Sequence, residues 1–187
     1  MTHIIRKMFW DYEKEEEWLN AMAAKGMMLT DYTWCRYVFE EGTPKEYTFR
    51  IELLEHASTH PESKAYIHFM KENGIDCVAS YKRWVYFRRN SSEGAFDIYT
   101  DLESKLQHYK RIHLLWMTLM AVELIVGLLN ILISVVNLNF NKTMGNYSIV
   151  NLIVGSLLFA LALLFWRLDI PIRRKIKKLQ REQQIRE

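Results

Sequence analysis

Few residues in this chain are equipped for chemistry. His56 and His60 stand four apart, with His68 further on. A divalent metal would need all three on one helix face, but Ser58, Thr59 and Pro61 place the first pair in a loop, so solvated histidines are expected. Cys35 has no His or Lys beside it to activate its thiol and reads as a small apolar strand residue. Tyr99, Asp101 and His108 can be assembled into an acid–base set, yet capping and surface roles account for them more simply. No glycine-rich phosphate loop, metalloprotease helix motif or Cys-x-x-Cys pair occurs. The expectation is a chain that is not an enzyme, with no catalytic residues, no cofactor and no metal.

Glu123 is the exception. It interrupts the 23-residue run Leu114–Val136, whose only formal charge it is. At ~1.5 Å rise per residue that run reaches about 34 Å, enough for a hydrocarbon core of roughly 30 Å. An acidic side chain near the middle of such a span costs about 2.5–3.5 kcal/mol to insert, so it usually faces a partner or a cavity. Glu123, Gly127, Asn130 and Ser134 recur at helical spacing. A second run, Ser148–Trp166, has 19 residues and no charge, and its Asn151, Gly155 and Ser156 form a small, polar stripe suited to close packing. Glu123, Asn130 and Asn151 are therefore the candidate intramembrane contacts. The competing reading is a protonated Glu123 tolerated inside the hairpin interface.

These positions imply a two-helix transmembrane hairpin, and charge orients it. Residues 1–112 hold 16 Lys+Arg and 18 Asp+Glu, while residues 113–187 hold 9 and 4. Lys105, Lys110 and Arg111 precede the first span and a cluster of cations follows the second, whereas the connection has only Lys142. This bias places both termini in the cytoplasm of a multi-pass membrane protein. In the tail, Arg173, Arg174, Lys175, Lys177, Lys178 and Arg181 are interspersed with Ile and Leu, the pattern of a helix lying on anionic lipid. The simpler reading is a topology signal on a solvated helix end. The slightly acidic first part argues against a nucleic-acid partner. With no secretory signal, Cys35 and Cys77 are expected to stay reduced.

The residues before the spans read as an α+β domain. Ile4–Trp10 is a short strand; Asp11 caps a helix whose opening turns are rich in Glu and which closes at Gly26. Met28–Glu40 and Lys45–Glu55 read as two strands, Pro61 opens a second helix that stops at Gly74, and Ile75–Arg89 is a last long strand. That order, β-α-β-β-α-β, is the ferredoxin-like one, and it puts Cys35 and Cys77 on opposite sheet edges, beyond disulfide reach. Tyr32, Trp34, Arg50, Trp84 and Tyr86 then become candidates for an exposed interaction face. A protein partner or a second copy best fits Trp, Tyr and Arg there, with a small amphipathic molecule or stacked bases as alternatives; a one-residue slip in register would reverse the assignment. Thr100-Asp101-Leu102-Glu103 matches a capping box that starts a helix running into the first span. The expected organisation is 1–98 cytoplasmic domain, 99–112 linker helix, 113–136 first span, 137–147 external loop, 148–168 second span and 169–187 basic tail.

The stretches YEKEEEWLNAMAAKGM (12–27), YTFRIELLE (47–55), WVYFRR (84–89) and YTDLESKLQHYKRI (99–112) resemble a bacterial membrane family known only as a domain of unknown function. The resemblance covers roughly residues 5–112 and implies a cytoplasmic N-terminal module followed by hydrophobic spans. It also implies a regulated protein, since such genes commonly lie beside those of PadR-type repressors, and it carries no catalytic residues. The function expected is a membrane-anchored regulatory or sensory module acting through protein contacts. The alternative is an accessory subunit of a transporter or envelope complex, working through its hairpin.

Overall fold

Asp11 starts the first helix as its sequence suggests: its Oδ1 accepts the Glu13 amide at 3.1 Å, and α1 runs Tyr12–Ala23 with Glu13 and Glu15 at its positive end. Gly26, at φ 81°, then turns the chain into the sheet. Its missing side chain is also required, because a Cβ there would sit 2.8 Å from the carbonyl oxygen of Gly42. The second helix, α2, spans Pro61–Glu72, with Pro61 in its first turn and His60 as cap. The computed structural model describes residues 1–99, 101–140 and 145–186. They divide into two compact units, Met1–His108 and Tyr109–Glu187.

The first unit has six strands: β1 Thr2–Arg6, β2 Met27–Thr33, β3 Arg36–Glu41, β4 Tyr47–Leu53, β5 Asp76–Tyr81 and β6 Trp84–Asn90. The strands expected over Met28–Glu40 and Ile75–Arg89 are thus hairpins, while Lys45–Glu55 holds the single strand β4. The reversals fall at Trp34-Cys35, with φ of 35° and 59°, and at Lys82, with φ of 56°. No Gly, Asn or Pro marks either turn, so the usual turn chemistry is absent from the sequence. The strands form two antiparallel three-stranded sheets, ordered β1-β3-β2 and β4-β6-β5. A single ferredoxin-like sheet is not confirmed. Both cysteines are free, but opposite sheet edges are not the reason, since β2 lies beside β5.

The two sheets belong to two copies of one β-α-β-β unit. Residues 48 apart play the same part: Gly26 and Gly74 both have positive φ, Leu29 faces Phe39 as Cys77 faces Phe87, and a bulge follows at Thr30 and at Val78. One core lies between the sheets and α1, built from Leu19, Ala23, Leu29, Tyr37, Phe39, Phe49, Ile51 and Tyr86. A second lies on the other face of β6, where Val85 and Phe87 meet Leu54, Met70 and Phe96. The alternation along β6 therefore buries both of its faces.

The second unit consists of α4 (Gly145–Arg186) and of α3 (Leu102–Phe140) from Tyr109 onward, and both helices are longer than the spans expected. Asp101 caps α3, accepting the Ser104 amide at 2.7 Å; Thr100 of the expected capping box lies outside the described residues, as does Lys142. Residues 137–140 and 145–147 are helical, so the connection is shorter than the 137–147 loop expected. The residues expected as the basic tail are helical as well: α4 continues through Pro171, where one ladder hydrogen bond is lost, to Arg186. The helices run antiparallel, Trp116 meeting Phe165 with centroids 5.6 Å apart and the Ser134 hydroxyl donating to the Ser148 carbonyl at 2.6 Å. Both are long and apolar enough to cross a membrane.

Candidate functional site

Buried polar groups join separate elements in several places, and the Glu15 centre and the α3–α4 seam are two of them. In the first unit, Glu15 points from α1 into the core rather than toward water. It accepts hydrogen bonds from Tyr37 of β3 at 2.7 Å and Tyr86 of β6 at 2.6 Å, so one carboxylate ties a helix to both sheets. Tyr32 packs against both rings, with centroids 4.8 and 4.6 Å away. Burial raises the Glu15 pKa and the two tyrosine donors partly oppose it; burial, then the neighbouring carboxylate, pushes both tyrosines far up. The arrangement shares protons among buried oxygens and holds the sheets together. Only the helix-dipole role of the glutamates was legible in sequence, although Glu15 shares a helical stripe with Leu19 and Ala23, and that spacing is the missed signal.

Two further α1 side chains complete the edge of β4. Asn20 donates to the Phe49 carbonyl at 3.0 Å and accepts the Phe49 amide at 2.8 Å. Glu16 accepts the Ile51 amide at 2.9 Å and pairs with Arg50 at 3.1 Å. Side chains thus supply hydrogen bonds that a neighbouring strand would otherwise make. This pairing, with the Phe96 ring near its guanidinium, occupies Arg50. The expected interaction face is accordingly not a face. Tyr86 is buried, Tyr32 and Trp84 pack on the core, and Trp34 alone is strongly exposed, at 69%. Tyr32, Trp84 and Tyr86 join a core to which α1 and both sheets contribute, which a strand-by-strand reading does not show.

The second place is the seam between α3 and α4. Gly127 and Gly155 meet there: a Cβ on Gly155 would lie 2.7 Å from Ile131 Cγ1 and 2.8 Å from the Gly127 carbonyl. Of the stripe expected on α3, Gly127 and Ser134 are buried in the seam. Glu123 is half-buried and makes no hydrogen bond to a described residue, Asn130 donates to the Val126 carbonyl of its own helix at 2.8 Å, and Asn151 is half-buried. The structure does not join these three to one another. Where the apolar runs end, a group the sequence did not single out appears: buried Asp169 of α4 lies 2.7 Å from His113 Nδ1 of α3 and 2.7 Å from Arg173 Nε.

Of the expected lipid-binding set, Arg173 is the residue in that ion pair, and Lys175 lies over the Tyr109 ring, 5.6 Å from its centroid. Arg174, Lys177, Lys178 and Arg181 line one outward groove with Glu182 and Ile185. As for metals, the donor atoms of His56, His60 and Glu62 lie within 4.8 Å of one another, closer than a loop of solvated histidines suggests. A cation there would face the positive end of α2 and share His60 with its capping role, in which Nδ1 accepts the Glu62 amide at 3.4 Å.

A family described as proteins of unknown function, DUF2812, matches residues 11–121, which take in both helices of the first unit, β2 to β6 and the first part of α3. The chain belongs to this family. The match agrees with the resemblance read over roughly residues 5–112 and begins at the capping Asp11. No curated protein and no solved structure matches the chain. The family thus covers the Glu15 centre and stops before the Gly127–Gly155 crossing.

Proposed function

We propose that this family member is a membrane-anchored module, with α3 and α4 crossing the bilayer as a hairpin, both termini cytoplasmic, and the β-α-β-β repeat acting through protein contacts. The observation that carries the reading is the outer surface of the helix pair. Leu128, Leu132, Ile125, Ile153 and Leu157 stand outward and more than half exposed, which water would penalise and acyl chains would not. One unbroken helix, Leu102–Phe140, leads from the domain into the apolar run, so a change at the domain can bias the span. The cation asymmetry supports the orientation.

The accessory-subunit reading is favoured by Glu123, half-buried on a span with no hydrogen bond to a described residue. Photo-crosslinking groups placed singly in the full chain at Phe69, exposed on α2, and at Ile125, exposed on α3, separate the two. Protein adducts from Phe69 support the module, and adducts from Ile125 alone support the subunit. For topology, a cysteine at Lys142 should be labelled from outside intact cells and one at Gln184 only after permeabilisation. Labelling at Gln184 from outside would reverse the orientation.

A further inference from the structure

One end of the domain gathers the turns Trp34-Cys35 and Lys82-Arg83 with the loop that follows β1. The Lys7 amide donates to the Cys35 carbonyl at 2.9 Å, and Trp34 meets Tyr81 with ring centroids 6.2 Å apart. Tyr81 faces Trp84 across the second turn, and Trp84 packs on Tyr12 at 5.9 Å. The three segments Arg6–Trp10, Trp34–Arg36 and Tyr81–Arg83 hold five cations and no carboxylate. Asp11 and Asp31, the nearest acids in sequence, are engaged by the α1 cap and by Arg36. Meanwhile Met8, Trp10 and Trp34 are 58%, 45% and 69% exposed. Both helices also begin at this end, α2 by way of the Ser58 amide on the Lys82 carbonyl at 3.0 Å, adding their positive poles.

We propose that this end of the domain docks on an anionic lipid head-group surface, with Trp34, Trp10 and Met8 entering the interface and Arg6, Lys7 and Lys82 meeting lipid phosphates. The inference rests on the membrane-anchored reading and adds to it a second point of attachment. Trp and Lys side by side are what membrane interfaces select, because the ring tolerates the head-group region and the ammonium is drawn to anionic lipid. The left-handed backbone at Trp34 and Cys35 is costly for residues with a Cβ, and it carries the most exposed tryptophan of the domain outward, where no core contact repays it. The location agrees: Tyr12, which packs on Trp84, also meets His108 of α3 at 5.2 Å, and the apolar run starts at Leu114, six residues further along that helix. The chain therefore leaves this unit, at His108, from the same end.

The native Cys35 permits a test in the full chain. In a Cys77→Ala background, Cys35 is labelled with a fluorophore and the protein reconstituted into phosphatidylcholine–phosphatidylglycerol vesicles containing a head-group nitroxide quencher. Separate proteins carry the label at Leu128→Cys, to report acyl-chain burial of α3, or at Phe69→Cys, on the outer face of α2, each with Cys35→Ser. Expected is quenching at Cys35 and not at Phe69, with the Leu128 label quenched by an acyl-chain nitroxide. Lys82→Ala alone should lower the docked-to-free ratio about fivefold, and Trp34→Ala with Lys82→Ala should lower it further. Because both side chains are exposed, the fold is checked by unchanged near-ultraviolet circular dichroism. An unquenched Cys35 beside a quenched Leu128 overturns the docking and leaves the anchor standing, as it would if a protein or a second copy covered this end. Equal quenching at Cys35 and Phe69, or no change in both variants, also overturns it. An unquenched Leu128 removes the anchor and the docking together.

Discussion

The two β-α-β-β halves share an element order, a bulge and a glycine-closed helix, yet their helices do different work. The first, α1, sits on β4 of the other half and interlocks the two; α2 packs beside β5 of its own. The residues 48 apart show why. Glu15, Glu16 and Asn20 reach strands of both halves, whereas their counterparts Ser63, Lys64 and His68 make a single 3.3 Å bond to the His56 carbonyl, stay exposed, and meet only Glu72 of their own helix, respectively. A repeated backbone thus acquired one structural helix and one covering helix through a few polar side chains. Buried hydrogen bonds decide the asymmetry, since losing one partner leaves the other unsatisfied.

The largest test of that asymmetry is Glu15→Ala against Ser63→Ala. Removing Glu15 leaves the hydroxyls of Tyr37 and Tyr86 buried without their acceptor, for about 2–6 kcal/mol of lost stability at 1–3 per group. Ser63→Ala should cost about 1 kcal/mol or less, and urea unfolding in detergent followed by near-ultraviolet circular dichroism compares them. Equal losses would mean that the halves are held together by apolar packing alone. Next comes Asn20→Ala, which strips two hydrogen bonds from the β4 edge and should cost about 1–3 kcal/mol, while His68→Ala on the exposed face should stay within about 0.5.

The two glycines sharpen the comparison. Alanine at either adopts a left-handed backbone at about 1–2 kcal/mol. Gly26→Ala should cost more than Gly74→Ala, because its Cβ meets a backbone carbonyl at 2.8 Å and the other meets the flexible Glu93 carboxylate at 3.4 Å. Matching melting temperatures for the two variants would contradict this. The smallest effect is on pH. Glu15 and Glu16 have folded-state pKa values raised above 4.5, chiefly by burial. The folded state therefore holds their protons longer, and their contribution is greatest below that value and is lost as pH rises through the raised ones. Glu15→Gln should flatten that decline, read as unfolding midpoints across the range; an unchanged slope would show that Glu15 titrates like an exposed carboxylate.

The sequence alone determined what local rules govern. Asp11 and Pro61 start helices because a cap oxygen and a fixed φ act within one turn, Gly26 and Gly74 end them because their backbone must go left-handed, and two apolar runs long enough to span a bilayer are a matter of composition. Only the tertiary structure decided what depends on partners distant in the chain. The turns at Trp34-Cys35 and Lys82 use residues that oppose a left-handed backbone, so hairpin pairing across each bulge overrides local preference, and two expected strands become four. Tyr32, Trp84 and Tyr86 turn inward because side chains of both sheets and α1 converge on one core. Glu15 becomes a buried acceptor because Tyr37 and Tyr86, 22 and 71 residues away, converge on it. Pro171 fails to end α4, where buried Asp169 and Ile172 of α4 flank it and His113 of α3 pairs with Asp169, because packing between helices outweighs one missing backbone hydrogen bond.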